Sequence, residues 1–220
     1  MDSREFKDSI YSQFARISKA LSSPKRFEIM DYLTQGEKTV EKLSQETKMS
    51  VANTSKHLQS LLEAKLVKTR KEKNYVYYSI SDENVMNVIF TIKQLAEDKF
   101  SDLPHWRKNY IEKNDSIPVV KLEDIIQKIQ DKKAMLIDVR PKDEFETAHI
   151  RGAESIPIDH LKDHIISLPK DKVIYTYCRG PYCVFASEAV EYLRDHGFEA
   201  YRIEEGVNEW KKHKLVLKKT

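Results

Sequence analysis

The second half of the sequence alternates short apolar runs with stretches of helical periodicity, and this alternation limits the possible folds more than any other feature. Strands that alternate with helices predict a parallel sheet covered on both faces. Ligands of such sheets bind at the carboxyl ends of the strands. The predicted strands are 134–139, 173–177 and 200–203, and the predicted helices are 122–129, 141–147 and 184–194.

The only two cysteines in 220 residues are the first and last residues of a six-residue segment, 178–183, which lies between a predicted strand and a predicted helix. A helix start offers free N–H groups and the positive end of its dipole, and both favour the thiolate form of a nearby cysteine. Arg179 adds a positive charge beside Cys178. The pattern therefore predicts a reactive thiolate at Cys178. We name the segment the thiol loop; its residues are Cys178, Arg179, Gly180, Pro181, Tyr182 and Cys183.

Composition and charge narrow the class of protein. The chain is 40% apolar and has a net charge of +3, with the excess in the first half. No apolar run approaches the ~20 residues of a membrane span, and the charged start is unlike a signal peptide. Two cysteines are too few for a disulfide scaffold or a four-ligand metal site. These features predict a cytoplasmic protein with no metal, cofactor or membrane partner, whose basic first half contacts nucleic acid.

The first half is predicted to consist of helices followed by one hairpin. Helical spacing begins at Phe6, Pro24 suits the first turn of a second helix, and Ser50 suits the cap of a longer one. The spacing of apolar residues changes from helical to strand-like over 66–80, and the strand-forming residues there predict a hairpin. A last helix over 82–99 carries more apolar surface than one face requires, which predicts a dimer.

Three segments of the second half resemble the rhodanese family of sulfurtransferases. Residues 136–157 are similar to its first signature, and the thiol loop lies where the family has its active-site loop. Residues 206–210 are similar to the closing signature, with Glu205 in place of a frequent glycine. The resemblance covers about 115–214 and implies an α/β fold with a mostly parallel sheet.

The resemblance implies a two-step covalent reaction. The thiolate of Cys178 would attack the outer sulfur of a donor such as thiosulfate to form a persulfide, which an acceptor thiol or cyanide then removes. Gly180 would allow close approach of the backbone, and Arg179 would attract an anionic donor. Asp138 and Arg140 are expected to fix the neighbouring strand end. The related cell-cycle phosphatases have one more loop residue and a terminal arginine, so phosphate hydrolysis is not expected.

Cys183 is open to three interpretations. It is a resolving thiol, a partner of Cys178 in a disulfide or polysulfide bridge, or a small residue buried at the helix start. His149, in the first signature, is expected to be a structural hydrogen-bonding residue rather than part of the chemistry.

The first half resembles the ArsR family of winged helix-turn-helix repressors. The residues that carry the resemblance are 21–26, 50–58, 61–67 and 75–78. Lys65 departs from the family's usual glycine. A lysine in a left-handed conformation costs about 1 kcal/mol, so this turn is expected to differ locally.

The resemblance implies that the exposed face of the second helix of the motif enters the major groove, while the basic wing contacts phosphate or the minor groove. We predict an inner helix face of Val51, Ser55, Leu58 and Leu62. The candidates for DNA contact are Asn53, Thr54, Ser55, Lys56 and His57 on the helix and Lys68, Arg70, Lys71 and Lys73 on the wing.

Many ArsR-family proteins sense metals through cysteines of the third helix or through His and Asp on the last helix. Here 39–43 contains no cysteine and 82–99 contains no histidine. A metal sensor of that kind is therefore not expected, and any sensing through thiols has to use Cys178 and Cys183.

These observations predict two domains. Residues 1–114 form a mainly α winged helix-turn-helix domain for DNA binding and dimerisation, including a linker, and 115–220 form a rhodanese-like domain. The leading hypothesis is a homodimeric regulator of double-stranded DNA whose sulfurtransferase domain uses a sulfane-sulfur donor and a thiol acceptor, with sulfur on Cys178 biasing DNA binding. One alternative is a sulfurtransferase or sulfur carrier whose first half mainly dimerises it. Another is a regulator whose rhodanese-like domain is only a binding module.

Overall fold

The computed structural model describes residues 1–113, 115–131, 133–210 and 216–218. The chain divides into two compact units, Met1–Leu95 and Ala96–Thr220, and the division falls within one helix. The domain boundary predicted after residue 114 lies in the second unit, at a residue outside the described ones. That boundary stays a prediction.

The first unit combines helices with a small antiparallel sheet. Its strands lie in the order β1-β3-β2, and the β2–β3 hairpin turns at Lys73 and Asn74 as predicted. The elements are α1 (Ser3–Leu21), α2 (Pro24–Leu33), β1 (Lys38–Thr39), α3 (Val40–Thr47), α4 (Val51–Glu63), β2 (Val67–Glu72), β3 (Tyr75–Ile80) and α5 (Glu83–Lys99).

Short polar side chains begin two of these helices, and the one at Ser50 lies where the sequence predicted a cap. Asp2 accepts from the backbone N–H of Glu5, whose side chain accepts from the N–H of Asp2 in return, and this capping box starts α1. Ser50 Oγ accepts from the N–H of Asn53 at 3.2 Å and starts α4. Each cap satisfies donors that the first turn of a helix leaves without partners.

The inner face of α4 differs from the prediction. Thr54, Leu58 and Leu61 are fully buried, which is an i, i+4, i+7 stripe. Val51 and Ser55 are exposed, so their predicted place on the inner face is wrong. The buried stripe starts at Thr54, whose hydroxyl donates to the carbonyl of Ser50 within the helix, so this polar side chain is buried with its hydrogen bond satisfied.

The turn after α4 takes the left-handed conformation despite its lysine. Lys65 has φ 59°, its N–H donates to the carbonyl of Leu62 at 2.9 Å, and the N–H of Leu66 donates to Leu61 at 3.0 Å. These bonds satisfy carbonyls at the end of the helix. The turn therefore takes a left-handed conformation with a lysine at this position, and whether it differs from the family's turn stays a prediction.

The second unit is a parallel sheet with helices on both faces. Helix α6 (Asp102–Trp106) continues as a π-helical turn, Arg107–Ile111, and 3-10 turns, Ile158–His160 and Ile165–Ser167, flank α9. The remaining elements are β4 (Val119–Val120), α7 (Leu122–Gln130), β5 (Ala134–Asp138), α8 (Lys142–Thr147), β6 (Ala148–Ile150), β7 (Ala153–Ser155), α9 (Leu161–His164), β8 (Val173–Tyr177), α10 (Phe185–Asp195), β9 (Ala200–Ile203), α11 (Val207–Trp210) and β10 (Val216–Lys218).

The described strands of the main sheet lie in the order β4-β9-β8-β5-β7, and every neighbouring pair is parallel. Successive residues of β5 point to opposite faces: Met135 and Ile137 join the apolar cluster that contains α10, and Leu136 joins the cluster that contains α7. The predicted fold class is confirmed. The carboxyl ends of β5 and β8 lie side by side, and the thiol loop follows β8.

The sequence did not predict the short strands β6 and β7. Strand β7 pairs with β5 at the edge of the main sheet, and β6 pairs antiparallel with β10. Each is three residues long, which is too short for an alternating pattern to show. Their pairing is decided by contacts with distant segments.

Replacing Ile137 with alanine should destabilise the second unit by about 2–5 kcal/mol, because Ile137 is fully buried in β5. Urea unfolding followed by tryptophan fluorescence measures this, since both tryptophans, Trp106 and Trp210, lie in that unit. Ile166→Ala is the matched control, because Ile166 is 96% exposed. Equal losses in the two variants would contradict the assignment of Ile137 to the core.

Candidate functional site

The thiol loop leaves the carboxyl end of β8 and folds back on itself before α10 begins. Cys178 is buried in the apolar cluster beneath α10, and Cys183 packs against the same cluster. The N–H of Cys183 donates to the carbonyl of Gly180 at 3.2 Å, and Gly180 has φ 136°, a conformation that favours glycine. The loop is therefore a tight turn that brings its two ends together.

The two cysteines form a disulfide. Their Cα atoms are 6.1 Å apart, and no cysteine of the chain is free. Among the three interpretations of Cys183, the structure contains the direct bridge to Cys178. The nucleophile predicted at Cys178 is thus present in oxidised form, and reduction has to precede any attack on a sulfur donor.

Arg179 pairs with a buried carboxylate. Its Nε donates to Oε1 and Oε2 of Glu144 at 3.1 and 3.0 Å, and its Nη2 donates to Oε1 at 2.7 Å. The guanidinium also lies over the Phe185 ring, 5.5 Å from the centroid. Because Glu144 balances its charge, Arg179 anchors the loop to α8, which adds a structural role to the expected attraction of an anionic donor.

Asp138 and Arg140 lie together at the end of β5, where the sequence predicted a supporting pair. Arg140 Nη2 donates to Asp138 Oδ2 at 2.6 Å and to the carbonyl of Ala148 at 2.8 Å, and both side chains are buried. Beside them Tyr177 Oη accepts from the N–H of Ile150 at 3.1 Å. Burial and the carboxylate of Asp138 raise the pKa of Tyr177 well above its usual value, so the phenol stays protonated.

A buried arginine that sequence reasoning missed supports the loop from below. Arg202 Nη2 donates to the carbonyl of Pro181 at 2.9 Å and to that of Gly180 at 3.3 Å. Its side chain is fully buried, and burial lowers the pKa of its guanidinium. The available signal was a single arginine within the otherwise apolar strand β9.

The closing segment packs tightly on the loop. A Cβ placed on Gly206 would lie 2.5 Å from the carbonyl carbon of Arg179 and 2.8 Å from the nitrogen of Gly180, so only glycine fits there. Glu209 Oε2 accepts from the N–H of Gly206 at 2.9 Å and holds the start of α11. The segment 206–210 therefore shapes the thiol loop through its backbone.

On α4, the structure separates the candidates for DNA contact. Asn53, Ser55 and Lys56 are exposed, and His57 is half-buried. Thr54 is fully buried and its Oγ1 donates to the carbonyl of Ser50 at 3.0 Å, which corrects its prediction as a contact. Burial and the nearby charges of Arg26 and Lys25 lower the pKa of His57, so it is neutral at pH 7.

On the wing, the cations differ in their surroundings. Arg70 pairs with Glu37 at 2.6 Å and with Glu72 at 2.5 Å, and these carboxylates raise the pKa of its guanidinium. Lys71 and Lys73 are exposed on the hairpin. Arg70 is therefore a partly neutralised charge, whereas Lys71 and Lys73 carry the positive charge of the wing tip. A further predicted candidate, Lys68, donates to the carbonyl of Ser81 at 2.9 Å.

No described helix is long and apolar enough to cross a membrane. Within the described part of the chain, no group of three or more His, Cys, Asp or Glu side chains is arranged to hold a metal ion.

A known protein family matches a segment in each of the two units. Residues 121–213 match the rhodanese-like domain, and residues 23–69 match the family described as bacterial regulatory protein, arsR family. Together with the fold, these matches define the class: a winged helix-turn-helix DNA-binding regulator joined to a rhodanese-like domain.

The similarity to one relative extends across both units of this chain. The HTH-type transcriptional regulator Rv0324 of Mycobacterium tuberculosis is 34% identical over 205 residues, which cover 93% of this chain and 90% of that protein. This chain therefore belongs to the ArsR-type HTH transcriptional regulators that carry a rhodanese-like domain.

Other similarities cover less than half of this chain each. The tRNA uridine(34) hydroxylase of Onion yellows phytoplasma is 31% identical over 98 residues, which are 41% of this chain and 31% of that protein. The homodimeric winged helix-turn-helix DNA-binding domain Mb0332 of Mycobacterium bovis is 33% identical, covering 46% of this chain and 91% of that fragment with a TM-score of 0.42.

Breaking the buried Arg179–Glu144 pair should destabilise the second unit strongly. We expect Glu144→Gln to cost about 3 kcal/mol, because it leaves a largely buried guanidinium without its counter-charge. Urea unfolding measures the loss. The control is Asp115→Asn, which breaks the exposed Lys108–Asp115 pair and should cost about 1 kcal/mol or less. A loss at Glu144 no larger than the control's would show that the pair does not anchor the loop.

Proposed function

We propose that this regulator binds double-stranded DNA as a homodimer and that Cys178 takes up sulfur from a sulfane-sulfur donor such as thiosulfate. The observation that carries the sulfur chemistry is the position of the thiol loop. It lies at the carboxyl end of a central parallel strand, in a rhodanese-like domain, with Cys178 directly after the strand. The reaction class is sulfur transfer through a covalent persulfide, with a thiol as acceptor.

The electrostatics of the loop support this role. Reduced Cys178 lies before the N-terminus of α10, whose free N–H groups favour a thiolate and stabilise an anionic persulfide sulfur. Arg179 keeps a positive charge within the loop while Glu144 fixes its direction. Asp138 and Arg140 hold the adjacent strand end and take no part in the bond changes.

The proposed DNA surface consists of α4 and the wing. Asn53, Ser55 and Lys56 are exposed polar side chains near the start of α4, where a recognition helix reads base edges. His57 lies beside these residues, and its imidazole can bond a base edge. Lys71 and Lys73 on the wing suit phosphate contact.

Exposed apolar residues of the first unit support the dimer. Phe14 on α1 is 65% exposed, and Leu95 on α5 is 53% exposed. Exposed apolar side chains of this size on two helices indicate an interaction surface, and we propose that a second copy of the chain covers it. The exposed apolar residues of these helices are Phe6, Tyr11, Phe14 and Ile17 on α1 and Val88, Ile92 and Leu95 on α5.

The DNA surface is tested with a duplex that the wild-type protein selects from a randomised library. Lys56→Ala should weaken binding about 5-fold and lower the salt dependence by about one counterion, and Asn53→Ala should cost about 10-fold and relax base preference. Fluorescence anisotropy at several salt concentrations measures both. Lys162→Ala, an exposed lysine of the second unit, is the control of equal charge. If Lys56→Ala and Lys162→Ala behave alike, α4 is not the DNA surface.

The sulfur chemistry is tested on reduced, full-length protein under anaerobic conditions. Thiosulfate should release about one sulfite per chain from the wild type and none from Cys178→Ser, because loading Cys178 expels sulfite. Sulfite release by Cys178→Ser at the wild-type level would overturn the assignment of the nucleophile. DNA affinity measured before and after loading tests the coupling separately: an unchanged affinity excludes regulation by sulfur and leaves both activities in place.

A further inference from the structure

We propose that Cys183 is the resolving thiol of this site, and that the rhodanese-like domain thereby reduces sulfane sulfur to hydrogen sulfide. The inference rests on the proposed persulfide at Cys178. In simple sulfur transfer the outer sulfur passes to an external acceptor. Here the second cysteine of the thiol loop would displace it from within the same loop.

The structure places the two sulfurs within bonding reach without rearranging the fold. Cys178 and Cys183 are joined in a loop of six residues, which the N–H of Cys183 closes by donating to Gly180. Arg202 holds the carbonyls of Gly180 and Pro181 from the buried side. The backbone that carries Cys183 is therefore held in the position from which its sulfur meets that of Cys178.

Burial favours the internal thiol over an external one. Cys178 is only 2% exposed, and its sulfur lies in the apolar cluster under α10. An external thiol has to enter this space, whereas Cys183 already packs against the same cluster. A thiol held in the right geometry reacts as if present at an effective concentration of about 10⁵ M or more in favourable cases, so internal attack has a kinetic advantage.

The bond changes balance in two steps. First, the thiolate of Cys178 attacks the outer sulfur of thiosulfate; the S–S bond of thiosulfate breaks and sulfite leaves with the electron pair. The persulfide takes a proton from solvent. Second, the thiolate of Cys183 attacks Sγ of Cys178; the persulfide S–S bond breaks and the outer sulfur leaves as HS⁻. Two thiols are oxidised to the disulfide, and one sulfane sulfur is reduced to sulfide.

The product of the second step is the disulfide found in the structure. In that state Cys178 cannot attack another donor. The domain therefore completes one turnover and needs a reductant before the next. A small dithiol would reopen the bridge by thiol–disulfide exchange and permit another cycle. After exposure to sulfane sulfur, the loop would thus stay in the disulfide form until a reductant opens the bridge.

The test follows sulfite, sulfide and intact mass together. Reduced, full-length protein, freed of reductant under anaerobic conditions, is mixed with thiosulfate alone, since polysulfide solutions already contain sulfide. The wild type should release about one sulfite and about one sulfide per chain and end about 2 Da lighter, as the disulfide. Cys183→Ser should release the sulfite, release no sulfide and keep about 32 Da of added sulfur on Cys178.

Controls separate this inference from the proposed function and from misfolding. Val184→Ala, an exposed neighbour of Cys183, should match the wild type, and circular dichroism with Cys183→Ala as a second variant checks that the loop change leaves the fold intact. Sulfite without sulfide from the wild type, or equal sulfide from wild type and Cys183→Ser, would overturn the resolving role and leave persulfide formation standing. No sulfite from any of these proteins would overturn the proposed sulfur chemistry itself.

Discussion

The conformation of the thiol loop depends on arginine side chains beneath and beside it. Each of their guanidinium groups donates to oxygen acceptors. Arg202 reaches the loop carbonyls, Arg179 is bound by Glu144, and Arg140 is held on Asp138 at the end of the next strand. Burying such groups is costly, and their attraction to acceptors compensates only when the geometry is good. The bonds of Arg202 hold two backbone carbonyls of the loop, the bonds of Arg179 tie the loop to Glu144, and those of Arg140 hold the neighbouring strand end.

A close backbone contact adds to this arrangement. Gly206 lies against the backbone of Arg179 and Gly180 with no room for a side chain, so the start of α11 closes one side of the loop. The other side is the apolar cluster that surrounds Cys178. A loop confined in this way brings Cys183 back to Cys178, and the chemistry we propose uses that proximity: a persulfide formed on one sulfur lies next to the thiol that can release it.

Much of the fold could be predicted from the spacing of apolar residues and from the residues that begin helices and form turns. The parallel arrangement, the helix starts at Ser50 and Pro24, and the hairpin of the first unit follow from local pattern, because each segment is long enough to show it. The three-residue strands β6 and β7 could not be predicted, since so short a segment carries no period. The inner face of α4 was misplaced because threonine, with one methyl and one hydroxyl group, reads as polar in the sequence, whereas Thr54 is buried.

At the candidate site, the sequence by itself determined the position of the thiol loop, the candidate nucleophile Cys178 and the absence of a cysteine outside the loop, since these depend on residue identity and order along the chain. It also pointed to the DNA-binding half through the helix-turn-helix pattern. Only the tertiary structure decided which distant groups meet the loop: Glu144 on Arg179, Arg202 under the carbonyls, and Cys183 on Cys178. The physical reason is that ion pairs and buried hydrogen bonds join residues far apart in the chain, and their partners are set by how strands and helices pack.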